Sequence, residues 1–149
     1  MSLGEVFRSL VGRPSSRRLD SDGRLRHALS LIENLVAEAD ALRDAGLCAQ
    51  AAEGYQAALR IQPARNDLRV QMGNMLKDSG SCERAADVYR IALAFSVGDD
   101  VRADVLLQMA RALDQGGRRG EARDAYWQCL GIAKGECANV AAVELAALG

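Results

Sequence analysis

Three tyrosines recur at a nearly constant distance along this chain, and each is preceded by an alanine four residues earlier. The tyrosines lie 34 and then 37 residues apart: Tyr55, Tyr89 and Tyr126, with Ala51, Ala85 and Ala122. A period of 34 residues that pairs a small with an aromatic position indicates a helix–turn–helix repeat. Such an array buries its core between neighbouring repeats and presents a continuous surface rather than a deep pocket.

Other positions come into register when the three repeats are aligned on their tyrosines. Nine residues before each tyrosine is a glycine, and thirteen before is a leucine: Gly46, Gly80 and Gly117, with Leu42, Leu76 and Leu113. Small residues lie sixteen before and three after: Ala39, Gly73, Ala110, Ala58, Ala92 and Cys129. Small side chains let antiparallel helices approach closely, and the glycines fit a left-handed helix C-cap. We therefore predict core and turn roles for these positions, not ligand binding.

This pattern resembles the tetratricopeptide repeat, which has small, large, glycine, alanine, aromatic, alanine and proline positions in that order. Pro63 supplies the proline in repeat one, whereas Val97 and Lys134 stand there later. The early tryptophan of the family is replaced by Leu35, Arg69 and Leu106. The resemblance covers about residues 32–134 and implies an all-α, right-handed superhelical α-solenoid of antiparallel helix pairs.

The chain divides into an N-terminal amphipathic segment with a flexible link, residues 1–23, and a three-repeat domain, residues 24–149. Helices are predicted at about 24–45, 48–61, 65–79, 82–95, 100–115, 119–133 and 137–148. The long first helix begins with Leu25, Leu29 and Ile32, which we expect to cap the array, and the last helix covers repeat three. Three extra residues near 95–100 lengthen a helix or loosen the joint between repeats, with Asp99 or Asp100 as N-cap.

Composition and charge narrow the class of protein. Alanine and leucine abound and there are only 2 prolines, which favours helix throughout. The formal net charge of −1 gives no reason to expect a nucleic-acid partner. Residues 1–149 contain no apolar run long enough for a membrane span and no signal peptide, so we expect a cytoplasmic protein.

The sequence offers no catalytic or cofactor-binding pattern, and we predict neither enzymatic activity, nor a metal site, nor a cofactor. His27 is the single histidine, and no nucleophile motif or phosphate-binding loop accompanies it. No two of the four cysteines, Cys48, Cys82, Cys129 and Cys137, have the spacing of a zinc or redox motif, so we interpret them as small apolar residues.

The candidate binding surface follows from the resemblance, since the first helix of each tetratricopeptide repeat lines a concave groove that receives a peptide or partner helix. By register, this groove contains Val36, Ala37, Asp40 and Arg43; Val70, Gln71, Asn74 and Lys77; and Leu107, Gln108, Arg111 and Asp114. Gln71 and Gln108 occupy equivalent points and could bind an extended peptide backbone, although solvated side chains explain them equally well. A clamp for the carboxylate of a chaperone tail is not expected, because Asp40 and Asp104 stand where the family has Asn or basic residues.

A second candidate is the N-terminal amphipathic segment, whose apolar face carries Leu3, Val6, Phe7 and Leu10. Docking on a protein is favoured over a membrane, because one short helix with one phenylalanine binds lipid weakly. The segment could fill its own groove or that of a second copy, which would make a homo-oligomer; alternatively it is disordered.

We therefore predict a non-enzymatic scaffold or adaptor that binds a protein partner. One alternative is a small secretion-type chaperone, a class that also resembles three such repeats with a flanking segment and a closing helix. Another is an accessory to a bacterial glycosyltransferase system, because residues 68–80 and 144–149 resemble repeat arms fused to sugar-transfer domains.

Overall fold

The computed structural model describes the backbone of residues 16–149 and the side chains of residues 21–149. Within this range the chain folds into seven α-helices and contains no strand. The helices are α1 Ser16–Asp44, α2 Cys48–Ile61, α3 Asn66–Asp78, α4 Cys82–Phe95, α5 Asp99–Gln115, α6 Arg119–Ile132 and α7 Gly135–Ala147. The predicted all-α class is confirmed, and the predicted bounds of α2 and α4 agree to the residue.

Two compact units divide the chain, one ending at Asn34 and the other spanning residues 35–149, and α1 runs through the boundary. In the N-terminal unit, helix already begins at Ser16, so the flexible link predicted over residues 12–23 is helical in its described part. Gly23 is the strongest helix breaker there, but one such glycine costs only about 1 kcal/mol relative to alanine. Helix continues through residue 23, and the domain bounds 1–23 and 24–149 stay a prediction. Leu25 and Leu29 are exposed, and their capping role stays a prediction.

In the C-terminal unit each helix packs on the next along the chain from α2 to α7, and α5 also contacts α3 and α7. Contacts between consecutive helices, together with contacts between every second helix, are the pattern of antiparallel helix pairs stacked side by side. Repeat one comprises the end of α1 with α2, repeat two comprises α3 and α4, and repeat three comprises α5 and α6. The predicted α-solenoid of helix pairs is confirmed.

The turns inside the repeats are built on the three predicted glycines. Gly46, Gly80 and Gly117 have φ values of 75°, 85° and 78°, in the left-handed region that favours glycine. The amide after each glycine donates to the carbonyl of the leucine five residues earlier, for example Ser81 to Leu76 at 2.8 Å. This is the Schellman arrangement, which satisfies carbonyls at a helix end. The leucine and glycine registers therefore define one turn, repeated three times.

The core lies between the helices of each pair, around the tyrosine rings. Tyr55, Tyr89 and Tyr126 are almost fully buried, as are the small residues four before and three after each of them. The closest approach is at Gly73, where an added Cβ would lie 2.7 Å from Cε1 of Tyr89. The predicted core positions are therefore confirmed except Leu42, which is half-buried, and the tyrosine of repeat two explains why its crossing point holds glycine.

The joint between repeats two and three absorbs the extra residues by lengthening a helix. Helix α5 has 17 residues, against 13 in α3. Its N-cap is Gly98, with φ 88° and no side-chain cap, so the prediction of Asp99 or Asp100 as N-cap was wrong. Both aspartates instead lie in the first turn of α5, where a negative charge interacts favourably with the helix dipole.

The closing helix α7 begins at Gly135, two residues earlier than predicted, and packs on α6 and α5. Ala141 is the buried residue within α7, and Leu148 is buried just beyond it. Helix α7 thus occupies the place that the first helix of a further repeat would take, with a small apolar contact.

Candidate partner-binding surface

The predicted groove residues lie on the first helices of the three repeats, at 19, 18, 15 and 12 residues before each tyrosine. We call this set the inner face: Val36, Ala37, Asp40, Arg43, Val70, Gln71, Asn74, Lys77, Leu107, Gln108, Arg111 and Asp114. Ala37 is exposed, and the others are half-buried except Leu107, which is only 7% exposed. Leu107 therefore offers almost no surface to a partner, because α5 is packed against neighbours on both sides.

In repeats one and two, the position fifteen residues before the tyrosine accepts a hydrogen bond from its hydroxyl. Tyr55 donates to Oδ1 of Asp40 at 2.5 Å, and Tyr89 donates to Oδ1 of Asn74 at 2.6 Å. Arg43 adds a bond from Nη1 to Asp40 at 2.9 Å and one to the Tyr55 hydroxyl at 3.1 Å. These inner-face polar groups therefore hold the helix pairs together rather than standing free.

In repeat three the tyrosine hydroxyl needs a different acceptor, because Arg111, which has no acceptor atom, stands fifteen residues before Tyr126. Glu144 of α7 supplies the acceptor: the Tyr126 hydroxyl donates to its Oε2 at 2.9 Å. Arg111 pairs with the same carboxylate through two of its guanidinium nitrogens, from Nη2 to Oε1 at 2.6 Å and from Nε to Oε2 at 2.9 Å. Glu144 was not among the predicted site residues. Its separation of 33 residues from Arg111, close to one repeat period, is the signal that could have identified it.

The electrostatics of these contacts follow from burial and pairing. The hydrogen bonds from Arg111 lower the pKa of Glu144, so this carboxylate is charged at neutral pH. Burial is the main cause that raises the pKa of Tyr55 to about 12, and burial likewise raises the pKa of Tyr89 and Tyr126. All three hydroxyls therefore keep their protons and remain donors at neutral pH.

Gln71 and Gln108 differ from their neighbours because their side-chain amides form no hydrogen bond with any residue that the structure describes, while both remain half-exposed. The other charged members have close partners. Lys77 lies 3.3 Å from Asp78, and Asp114 lies 3.9 Å from Arg119. The two amides thus have both their donor and their acceptor groups available to a ligand.

An open cleft of about 280 Å³ lies where the inner face of repeat three meets α7. It is lined by Arg111, Asp114, Gln115, Tyr126, Glu144 and Ala147. The cleft continues the inner face to its C-terminal end, with a mixed charged and apolar lining.

Two aromatic side chains are exposed on the second helices of the repeats, away from the inner face. Phe95 of α4 is 63% exposed, with the Arg69 guanidinium 5.2 Å from its ring centre, and Trp127 of α6 is 61% exposed. Neither was among the predicted site residues, and no repeat register distinguishes them.

The structure adds one contact between cysteines that the sequence did not predict. Cys48 and Cys82 are half-buried free thiols, but Cys129 and Cys137 lie with their sulfurs 3.8 Å apart. The sequence interpretation missed this pair because a spacing of eight residues matches no motif, and only the turn between α6 and α7 brings the two thiols together.

Three further predictions concern metal sites, membrane-spanning helices and the N-terminal segment. Among the described side chains, residues 21–149, no group of three or more His, Cys, Asp or Glu is arranged to hold a metal ion. None of the described helices has the length and apolar character that crossing a bilayer requires. Leu3, Val6, Phe7 and Leu10 lie outside the described residues, so docking by the N-terminal segment stays a prediction.

No protein-family model matches the sequence, and neither does any curated protein. Solved structures do match. The chain is similar to the Arabidopsis OM64 TPR domain with a TM-score of 0.67 and 15% identity, over 80% of this chain and 98% of that one. It is also similar to a chain in the crystal structure of a T3SS complex from Aeromonas hydrophila, with a TM-score of 0.71 and 18% identity, over 91% and 95%. With its helix pairs, glycine turns and buried tyrosines, the chain therefore has the tetratricopeptide repeat fold.

Proposed function

We propose that this protein is a non-enzymatic interaction module that binds an extended segment of a protein partner along its inner face. The observation that carries this proposal is the pair of uncommitted amides, Gln71 and Gln108, at equivalent positions of repeats two and three. A carboxamide offers both a donor and an acceptor, which matches the N–H and C=O groups of an extended peptide.

The surroundings of the two amides support this reading. The neighbouring Asn74 and Arg111 are fixed by hydrogen bonds to Tyr89 and Glu144, so the surface is organised before a ligand arrives. A preorganised surface loses less conformational entropy on binding. Half-buried Val36 and Val70 add apolar area beside the polar positions, as expected at a protein interface.

The test needs a peptide ligand, which selection from a displayed library of random peptides on the immobilised full chain would supply. Binding of the selected peptide is then measured by calorimetry for the wild type, for Gln71→Ala with Gln108→Ala, and for a control with Gln50→Ala and Gln128→Ala. The control glutamines are exposed on the second helices α2 and α6.

We expect the inner-face double variant to lose about tenfold in affinity, since each amide pair contributes on the order of 0.5–1.5 kcal/mol, and the control to bind normally. Equal loss in both variants, or binding that neither variant changes, would exclude the inner face as the site.

The likeness to a chain of a T3SS complex favours a secretion-type chaperone as the second candidate. In that role the bound segment belongs to a protein that is later exported. Affinity capture from the native host, with the inner-face double variant as control, distinguishes the two. A captured partner that is exported, and whose capture depends on Gln71 and Gln108, supports the chaperone; a resident cytoplasmic partner with the same dependence supports the adaptor.

We further infer a cytoplasmic location and protein partners rather than nucleic acid or membrane, supported by the net charge of −1. The accessory role beside a glycosyltransferase, and a homo-oligomer formed through the N-terminal segment, stay predictions from the sequence.

A further inference from the structure

Two thiols meet at the junction between the last repeat and the closing helix. Cys129 lies on α6 and is fully buried, whereas Cys137 lies in the first turn of α7 and is half-buried. Their sulfurs are 3.8 Å apart. This contact joins α7 to the repeat array at the end of α7 opposite to Glu144.

Packing alone does not require a thiol at this point. The equivalent positions of repeats one and two hold Ala58 and Ala92, both fully buried. Cys129 also donates a weak hydrogen bond to the carbonyl oxygen of Ala103 at 3.4 Å, so its side chain is held in place facing Cys137. Alanine would fill the same site, and the sulfur adds a reactive group beside a second one.

We propose that Cys129 and Cys137 are a modification site: they form a reversible disulfide that fastens α7 to α6. A disulfide has an S–S distance of about 2.05 Å, so the two sulfurs need to approach by roughly 1.8 Å. The connection between the helices accommodates such a shift, because Ala133 and Lys134 are extended and Gly135 follows with φ 60°.

The oxidant is a small-molecule disulfide, and the reaction is two successive thiol–disulfide exchanges. The more accessible Cys137 attacks as its thiolate, forms a mixed disulfide and releases one small thiol. The Cys129 thiolate then attacks Sγ of Cys137, closes the intramolecular disulfide and releases the second thiol. One oxidant molecule is reduced by two electrons, and two protein thiols are oxidised.

Burial controls the rate of this exchange. It is the main cause that raises the pKa of Cys129 to about 12 and that raises the pKa of Cys137; the Asp104 carboxylate raises both further, and Arg111 opposes the shift at Cys137. Few thiolates are therefore present at neutral pH, so the exchange is slow there and accelerates as the pH rises.

The disulfide changes how firmly α7 is held. Ala141 is the buried residue within α7, and the Arg111–Glu144 pair holds its far end, so its docking rests on few contacts. A covalent link between α6 and α7 restricts the states in which α7 has separated, and this stabilises the docked form. This inference does not depend on what binds the inner face.

The experiment compares the full chain after incubation with oxidised glutathione at about pH 8.5 and after reduction. Free thiols are alkylated, and the unfolded protein is digested with trypsin without reductant. Cleavage after Arg123 and Lys134 places the two cysteines in separate peptides, residues 124–134 and 135–149. We expect these peptides to be joined, with the loss of two hydrogens, and the Tm to rise by about 5 °C, reversed by reductant.

Cys129→Ala and Cys137→Ala remove the link and the shift; the first introduces the residue that repeats one and two already carry, so it should fold. A variant with Cys48→Ala and Cys82→Ala keeps both the disulfide and the rise in Tm on oxidation. Four alkylated thiols after oxidation, a stable glutathione adduct on Cys137, or a linked pair with unchanged Tm would each overturn the proposal.

Discussion

The hydroxyl of Tyr89 donates a 2.6 Å hydrogen bond to Oδ1 of Asn74, fifteen residues earlier and on the other helix of the pair. Tyr55 makes the same bond to Asp40. A buried hydroxyl without a partner would cost about 1–3 kcal/mol, so this acceptor position is part of the repeat's stability and not only of its surface. Where the acceptor is missing, at Arg111, the closing helix replaces it.

Removing Glu144 tests whether it is the substitute acceptor. We expect Glu144→Ala to lower the free energy of unfolding by about 1–2 kcal/mol, because Tyr126 and Arg111 lose their shared partner. Glu53→Ala, at an exposed carboxylate that bonds to no described residue, should change it by less than about 0.5 kcal/mol. Urea unfolding followed by circular dichroism measures both.

Arg111→Asn should partly rescue Glu144→Ala, because an asparagine there reproduces the Asn74 arrangement of repeat two. The Glu144→Ala, Arg111→Asn double variant should therefore be more stable than the Glu144→Ala, Arg111→Ala double variant, in which Tyr126 has no acceptor. Equal stability of the two double variants would show that Tyr126 gains nothing from an acceptor on its own helix pair.

The Glu144 carboxylate makes the stability of the fold depend on pH in the acid range. The Arg111 hydrogen bonds lower the pKa of Glu144 in the folded protein below its ordinary value of 4.5. A lowered folded pKa contributes stability above the unfolded pKa, and this contribution is lost as pH falls through the folded value. The stability difference between wild type and Glu144→Gln should thus be constant near neutral pH and shrink as the pH falls below the ordinary value of 4.5. Other paired acids, such as Asp67 and Glu121, are common to both proteins and cancel in the difference.

Ionisation of the buried tyrosines limits the stability of the fold at alkaline pH. Burial raises the pKa of all three above the ordinary value of 10.0, and that of Tyr55 reaches about 12. A raised folded pKa gives stability that is complete below the unfolded pKa and is lost as pH rises through the folded value. We expect phenolate absorbance to appear well above pH 10 and together with loss of helical circular dichroism. Phenolate formation near pH 10 with the helices intact would contradict the buried, hydrogen-bonded hydroxyls.

Gly73→Ala tests the helix crossing of repeat two. The added Cβ would lie 2.7 Å from the Tyr89 ring, so we expect a net loss of about 1–3 kcal/mol despite the better helix propensity of alanine. Gly131→Ala is the matched control, because Gly131 lies in α6 with nothing within 4 Å of an added Cβ. It should be neutral or stabilise by up to about 1 kcal/mol, and thermal unfolding of both variants gives the comparison.

The fold was predictable where local signals and tertiary contacts agree. Gly80 ends one helix and Ala85 with Tyr89 marks the buried face of the next, so the bounds of α4 follow from the sequence. The start of α5 did not follow, because Gly98 provides the N-cap position through its backbone while two adjacent aspartates have the side chains that usually do so.

The sequence predicted which residues share the inner face, but not which of their side chains lack hydrogen-bond partners. The repeat register places Asn74 and Gln71 on the same side of α3. Only the docking of α4 decides that Asn74 accepts a hydrogen bond from Tyr89 while Gln71 makes no such bond. The contact of Cys137 with Cys129 depends on how α7 turns back at Gly135, which no periodicity in the chain specifies, whereas Glu144 lies close to one repeat period after Arg111.

Because Glu144 replaces the acceptor that Arg111 does not provide, the third repeat has to be followed by the closing helix. A shuffled protein with the third repeat placed first or second would leave the Tyr126 ring beside a guanidinium, unless the helix that follows brought its own acid. The second repeat carries its acceptor within itself and could be duplicated without that requirement. Longer arrays should therefore be obtainable by multiplying the middle repeat and keeping the last one, with its helix, as the terminus.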